Sequence, residues 1–297
     1  MFEGTRPLSI SMAILVFLGS LLLSVVASIV LSRRIEQLGA WLHLSESLVG
    51  IVAALGADAP EISSAITALH AGQPDLGLGI VLGSNIFNLA ALLGMSAVLS
   101  GKVRVSRSTL LLNGGVATCV MIAVSAQLFG LLTSFWPITL IALMMVPYLA
   151  LTAISPGRIA RIAARFRFGD DVGQTVANVH QDAKRAEVPP QPSRADILGS
   201  IPALASIVIA SIGMVRSAIV LGAHWKITGP VIGTLILATL TGIPNVVTAI
   251  RLALRGRGAA VLSESLNSNT LNLIAGVSIP IAILGMGSLS PLAIIAL

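Results

Sequence analysis

Residues 56–66 read GADAPEISSAI, and their flanks, IVAAL at 51–55 and ITAL at 66–69, are apolar. Two acids, Asp58 and Glu61, stand on either side of Pro60 in a setting that otherwise reads as lipid-facing helix. An ionised carboxylate in hydrocarbon costs at least about 2.5 kcal/mol, so it requires a partner or a polar cavity. The stretch therefore predicts a membrane-embedded helix whose acids turn inward.

The rest of the chain agrees. Of 297 residues, 55% are hydrophobic and only 10% are charged, against about 25% charged in soluble domains. A helical span needs about 20 apolar residues. Runs near 9–31, 45–70, 76–99, 109–129, 134–154, 197–222, 228–253 and 259–284 meet that length. The fold class predicted is an all-α polytopic membrane protein with about eight spans. The first run is too long for the apolar region of a signal peptide and reads as a retained span. The single cysteine, Cys119, excludes an internal disulfide and a cysteine metal site, and reads as a packing residue.

The net charge of +6 is a topology signal. Sorted by alternate loops, one side holds Arg33, Arg34, Lys102, Arg104, Arg107, Arg158, Arg161, Arg165, Arg167, Lys184, Arg185, Arg194, Arg251, Arg255 and Arg257. The other holds only Arg6, Arg216 and Lys226. The positive-inside rule places the N-terminus outside and the 155–196 loop in the cytoplasm, at the inner membrane. No nucleic-acid partner is expected. Within that loop, RIARIAARFRF at 158–168 carries a basic amphipathic pattern, and VPPQPSR at 188–194 reads as linker.

A shift of 184 residues lays one part of the chain on another. Pro60-Glu61 falls on Pro244-Asn245, Ala65-Ile66 on Ala249-Ile250, Ser84-Asn85 on Ser268-Asn269, and Asn88-Leu89 on Asn272-Leu273. Leucine matches mean little in so apolar a chain, but proline, serine and two asparagines at fixed spacing are informative. Each copy covers two spans. The charge sorting places the turn of the first copy outside and that of the second inside, so the repeats are inverted. Inverted repeats with broken helices and an ion site near the midplane are a secondary-transporter construction. The chain divides into a first membrane half, 1–154, with its repeat at about 45–99; the loop 155–196; and a second half, 197–297, with its repeat at about 228–284.

The polar residues of the repeats share one chemistry. Asp58 and Glu61, three apart, lie on one helix face. Pro60 removes a backbone donor and frees a carbonyl, which protein, water or an ion must satisfy at membrane depth. Ser84 and Asn88 are four apart, as are Glu264, Ser268 and Asn272. Thr241 and Asn245 complete the set. Carboxylate, amide and hydroxyl oxygens suit Ca2+, Mg2+, Na+ or H+, and without Cys or His they disfavour zinc and copper. Glu264 sits near the inner end of its span, where cytoplasmic water could equally account for it. Ser63, Ser64 and Thr67 read as packing residues, Asn85 and Asn269 as bridges at the helix break, and His70 as interfacial.

GADAPEISSAI followed by GIVLGSNIFNLA (79–90) resembles the first alpha-repeat of the calcium/cation antiporter superfamily, which includes sodium/calcium exchangers. TLTGIPNVVTAI (239–250) and SESLNSNTLNLIAG (263–276) resemble the second. The resemblance implies secondary-active antiport of calcium against sodium or protons, with no enzymatic activity and no prosthetic group. It carries family ligand positions onto Glu61, Ser84, Asn88, Thr241 and Ser268. Where the family has a second glutamate, this chain has Asn245. Asn272 stands at the family's acidic or amide position, and Asp58 replaces a hydroxyl. The family pattern has ten spans, five per half, so the second half here reads as short of its last two. A magnesium or sodium/proton exchanger, or a non-transporting truncated homologue, remains an alternative. Inorganic cations and the bilayer are the expected partners, and a homo-oligomer is left open.

Overall fold

The computed structural model describes residues 9–41, 46–101, 107–132, 135–153, 199–254 and 258–284. The described residues are helical throughout apart from short turns. The 155–196 loop, with its basic and proline-rich segments, lies outside them.

Helix α1 spans Ile10–Trp41 and α2 Glu46–His70. α3, Pro74–Phe87, passes through a π-helical turn, Asn88–Leu93, into α4, Gly94–Ser100. α5 is Arg107–Leu128, α6 is Trp136–Ala153 and α7 is Ser200–Trp225. α8, Gly229–Val231, continues through a π turn, Ile232–Leu237, into α9, Ala238–Thr241. α10 is Ile243–Leu254. α11, Gly258–Leu273, runs through a third π turn, Ile274–Ser278, into α12, Ile279–Leu284. Among the described residues, five helices are long and apolar enough to cross a bilayer, or six if the bent pair formed by Gly229–Thr241 and Ile243–Ile250 counts as one.

α1 shows how composition becomes packing. Ala13, Phe17, Ser24, Ala27, Ser28 and Leu31 are buried, while Leu15, Leu18, Leu22 and Val26 are exposed. The buried set recurs at helical spacing and faces chiefly α7. There Ala203, Ile207, Ala210, Ser211 and Met214 answer it. Small residues let two such helices approach closely where lipid supplies no hydrophobic drive between them. Exposed leucines on the far face suit a lipid surface.

Turns between helices use left-handed glycine. Gly72, at φ 72°, closes α2 while Gln73 N–H donates to Ala68 O at 2.9 Å, and Pro74 then opens α3. α3 and the π turn 232–237 cross with backbone close to backbone. A Cβ built on Gly83 would stand 2.6 Å from both Cα and O of Thr234, and one on Gly233 would stand 2.6 Å from Leu76 O. Backbone sits on both sides of each contact, so no side chain can yield. Gly83→Ala is therefore expected to force the helices apart. The cost of such overpacking is about 1–3 kcal/mol, read as a lower apparent Tm of the detergent-purified protein.

The two prolines of the repeat behave differently. Pro244 lies just past a break: α9 ends at Thr241, Gly242 intervenes, and the chain turns by 44°. Pro60 lies inside an uninterrupted α2. The expected opening is thus absent in the first copy, and the reason is local. Pro60 cannot donate to Gly56 O, four residues back. The hydroxyl of Ser28, on α1, is shared between Gly56 O at 3.2 Å and Ala57 O at 3.1 Å instead. The orphaned carbonyl is satisfied by protein rather than by an ion.

Candidate cation site

The centre of the bundle is buried and oxygen-rich. Asp58, Glu61, Ser84, Asn88, Thr241, Asn245, Ser268 and Asn272 are each fully buried. These are the residues predicted from the sequence, and α2, α3, α9, α10 and α11 bring them inward. Asp58 and Glu61 project from one face of α2 around Pro60.

Each acid is met by an amide from the other half of the chain. Asn245 Nδ2 donates to Asp58 Oδ1 at 2.7 Å. Asn272 Nδ2 donates to Glu61 Oε2 at 2.9 Å. The Ser268 hydroxyl lies beside Asp58 and the Ser84 hydroxyl beside Glu61, but neither closes a hydrogen bond of good geometry. Thr241 donates its proton to Leu237 O at 2.8 Å, which leaves only its oxygen lone pairs for a ligand.

What remains unpartnered is informative. Asp58 Oδ2, Glu61 Oε1, Asn245 Oδ1, Asn272 Oδ1, Asn88 Oδ1, and the hydroxyls of Ser84 and Ser268 are buried with no hydrogen-bond partner. Leaving one buried polar group unsatisfied costs about 1–3 kcal/mol, more when it is charged. Several orphaned oxygens around two carboxylates form a donor set suited to a hard cation. Calcium takes about 6–8 oxygen ligands. No cluster of three His, Cys, Asp or Glu occurs among the described residues, so neutral oxygens have to supply most of any coordination sphere.

Other expectations divide. Glu264 is half-buried on α11, one turn before Ser268, with its Oε2 enclosed. Asn269 Nδ2 donates to Asn85 O at 3.2 Å, the bridge expected of that pair. Thr67 spends its hydroxyl on Ser63 O at 2.7 Å, as a packing residue should. Ser64 is buried with its hydroxyl unpartnered, three residues beyond Glu61. His70 is exposed at the end of α2. Cys119 is exposed on α5 rather than packed, because its side of that helix faces outward with Ile122.

Sequence reasoning missed the supporting residues. Ser265 Oγ donates to Asn88 O at 3.0 Å, holding the carbonyl where α3 loosens into its π turn. Tyr148, on α6, places its hydroxyl 2.7 Å from Asn113 Oδ1 and 2.9 Å from Asn267 Oδ1. Asn113 Nδ2 in turn donates to Ser263 Oγ at 3.0 Å. This network ties α5 and α6 to α11, the helix that carries Ser268 and Asn272. A tyrosine in an apolar run is the one signal that could have pointed to it. Tyr148→Phe is expected to remove the one hydroxyl proton that the two amide oxygens share. The loss is about 1–3 kcal/mol, seen as a lower apparent Tm with the remaining α-helical circular dichroism unchanged.

Apolar helices that enclose a buried acid pair, with amides and hydroxyls turned to it, define a polytopic membrane protein with a polar interior. The family is then shown by direct comparison. Residues 12–157 and 196–295 match the family model described as "Sodium/calcium exchanger protein", and the chain belongs to that family. It is 26% identical over 151 residues to sodium/potassium/calcium exchanger 3 of Homo sapiens, covering 50% of this chain but 23% of that relative. The chain thus spans less than a quarter of that exchanger. It is 25% identical over 261 residues to the "Putative antiporter CaxA" of Alkalimonas amylolytica, covering 84% of this chain and 71% of the relative. Among solved structures, the H+/Ca2+ exchanger CAX superposes with a TM-score of 0.66 at 16% identity, over 95% of this chain and 69% of that one, which is a likeness of fold.

Proposed function

We propose that this protein is a secondary-active cation antiporter that exchanges calcium for sodium or protons at the Asp58–Glu61 pair. The observation that carries the proposal is the arrangement of the two acids. Both are fully buried, each is held on one oxygen by an amide from the second half, and each keeps its other oxygen unpartnered. Asp58 and Glu61 are the charged ligands. Ser84, Asn88, Thr241, Asn245, Ser268 and Asn272 supply neutral oxygens. The names of two relatives, a sodium/potassium/calcium exchanger and a putative antiporter, support the same reading.

In this proposal the chain forms two inverted repeats within about eight spans. The halves are 1–154 and 197–297, the N-terminus faces outward and the 155–196 loop lies in the cytoplasm. Three features support it. The Asn269–Asn85 bridge joins residues separated by 184, the repeat offset. The π turns at 88–93 and 274–278 overlap when shifted by that offset. The basic residues sort to one side. Inversion explains alternating access. Two related halves can exchange conformations around a fixed site, and two ion types compete for the same carboxylates. An empty site with two uncompensated charges crosses poorly, which couples the fluxes.

The test is radioactive calcium uptake by proteoliposomes loaded with sodium, or with acid buffer, and diluted into calcium. Uptake that follows either gradient is expected. Absence of uptake under both gradients, or uptake of magnesium with none of calcium, would overturn the assignment.

A further inference from the structure

We propose that Ser28, on α1, is a positioning residue for the cation site: its hydroxyl keeps α2 closed at Pro60 and so aims Asp58 at Asn245. This rests on the antiport reading above and adds a residue outside the ligand set.

The need for it arises from Pro60. A proline inside a helix lacks the N–H that would serve the carbonyl four residues back, and its ring crowds that carbonyl. Here the carbonyl is Gly56 O, two residues before Asp58. The Ser28 hydroxyl is shared between Gly56 O at 3.2 Å and Ala57 O at 3.1 Å, and Ser28 is fully buried. So short a side chain reaches only because α1 passes against the backbone of α2. A Cβ built on Gly56 would stand 3.2 Å from Ser32 Cα and 3.3 Å from Ser32 N, one turn along α1 from Ser28. Ala27 and Leu31 of α1 share an apolar cluster with Ala59, the residue before Pro60.

The second copy of the repeat is an internal comparison. The offset of 184 carries Trp41, the last residue of α1, onto Trp225, the last of α7, and Ser28 onto Ile212. Isoleucine has no hydroxyl, and Ile212 is exposed. Gly56 and Ala57 fall on Leu240 and Thr241, and Pro60 on Pro244. There α9 ends at Thr241 and the chain turns by 44°. Gly242, in the place of Asp58, adds to that weakness. The copy with the serine runs through its proline, and the copy without it breaks.

The consequence falls on Asp58, which follows Ala57 directly. Its Oδ1 accepts from Asn245 Nδ2 at 2.7 Å, and its Oδ2 is unpartnered and available to an ion. A break at 56–57 like that of the second copy turns the carboxylate away from both. Loss of one hydroxyl on α1 then weakens ion binding with every ligand still in the chain.

The experiment measures calcium uptake by proteoliposomes over a range of calcium concentrations, for the wild type, Ser28→Ala, Pro60→Ala and the double variant. Ser28→Ala is expected to raise half-saturating calcium about tenfold and to keep the maximal rate within about threefold. Tenfold is about 1.4 kcal/mol, the size of one unmade buried hydrogen bond. Alanine at position 60 returns the N–H that Gly56 O lacks. In that background Ser28→Ala is expected to change half-saturation less than about twofold. Unchanged half-saturation in the single variant, an equal rise in both backgrounds, or a fall in maximal rate alone overturns the proposal. If Pro60→Ala is inactive, apparent Tm in detergent completes the cycle. Ser28→Ala then has to cost about 2–4 °C more beside proline than beside alanine, and equal losses overturn the proposal. Absence of uptake by the wild type is a different result: it removes the antiport reading, while the Tm cycle still decides whether Ser28 serves the proline's carbonyl.

Discussion

Glu61→Gln is expected to lower calcium uptake in proteoliposomes at least a hundredfold. The substitution is nearly isosteric, and glutamine keeps an oxygen that can accept from Asn272 Nδ2, now 2.9 Å from Glu61 Oε2. Packing and the link between halves are preserved, so the loss isolates the charge. Removing one member of a buried, charge-compensated pair costs about 3–5 kcal/mol. At about 1.4 kcal/mol per tenfold, that is at least a hundredfold in affinity. A second readout separates binding from switching: calcium should raise the apparent Tm of the wild type in detergent and leave the variant unmoved. Uptake within threefold of wild type would remove Glu61 from the site.

Much of this arrangement is legible in the sequence, for identifiable reasons. Acids are rare in the apolar runs, so Asp58 and Glu61 are conspicuous, and both are buried at the centre. The repeat pairs Pro60 with Pro244 and so predicts which distant segments share a site. The two amide-to-carboxylate contacts between Asp58 and Asn245 and between Glu61 and Asn272 join those segments. The consequence of each proline was less legible. Both remove one donor, yet only the second copy breaks. There the residue before Ile243-Pro244 is Gly242, and glycine in a helix costs about 1 kcal/mol relative to alanine. In the first copy that position is Asp58, and Ser28 restores the donor from another helix. Proline arithmetic says that Gly56 O needs a partner. It cannot say that the partner lies on α1, because that depends on where two helices cross. Tyr148 and Asn113 were hidden for the same reason. Local pattern shows that a polar group exists, and tertiary packing decides what it meets.

The second large effect concerns where the second charge is carried. Asp58→Asn is expected to reduce calcium uptake at least a hundredfold, by the same loss of a buried ligand charge. The double variant Asp58→Asn, Asn245→Asp is expected to recover to within about tenfold of wild type, a coupling of at least about 1.4 kcal/mol in the double-mutant cycle. The two side chains are in direct contact, with Asn245 Nδ2 at 2.7 Å from Asp58 Oδ1. Exchanging them leaves one carboxylate and one amide in the same place, with donor and acceptor reversed. Asp58 Oδ2 and Asn245 Oδ1 are both unpartnered, so either carboxylate has a free oxygen for the ion. The number of acids stays at two, but each half now contributes one. This is the distribution implied by the family pattern, whose second acid falls at position 245. Asn245→Asp alone places three carboxylates at one buried site, and like-charge repulsion is expected to lower its uptake too. Recovery in the double variant would show that total charge, rather than its address on α2, governs calcium binding. A double variant no more active than Asp58→Asn would instead assign Asp58 a role that depends on its place on α2.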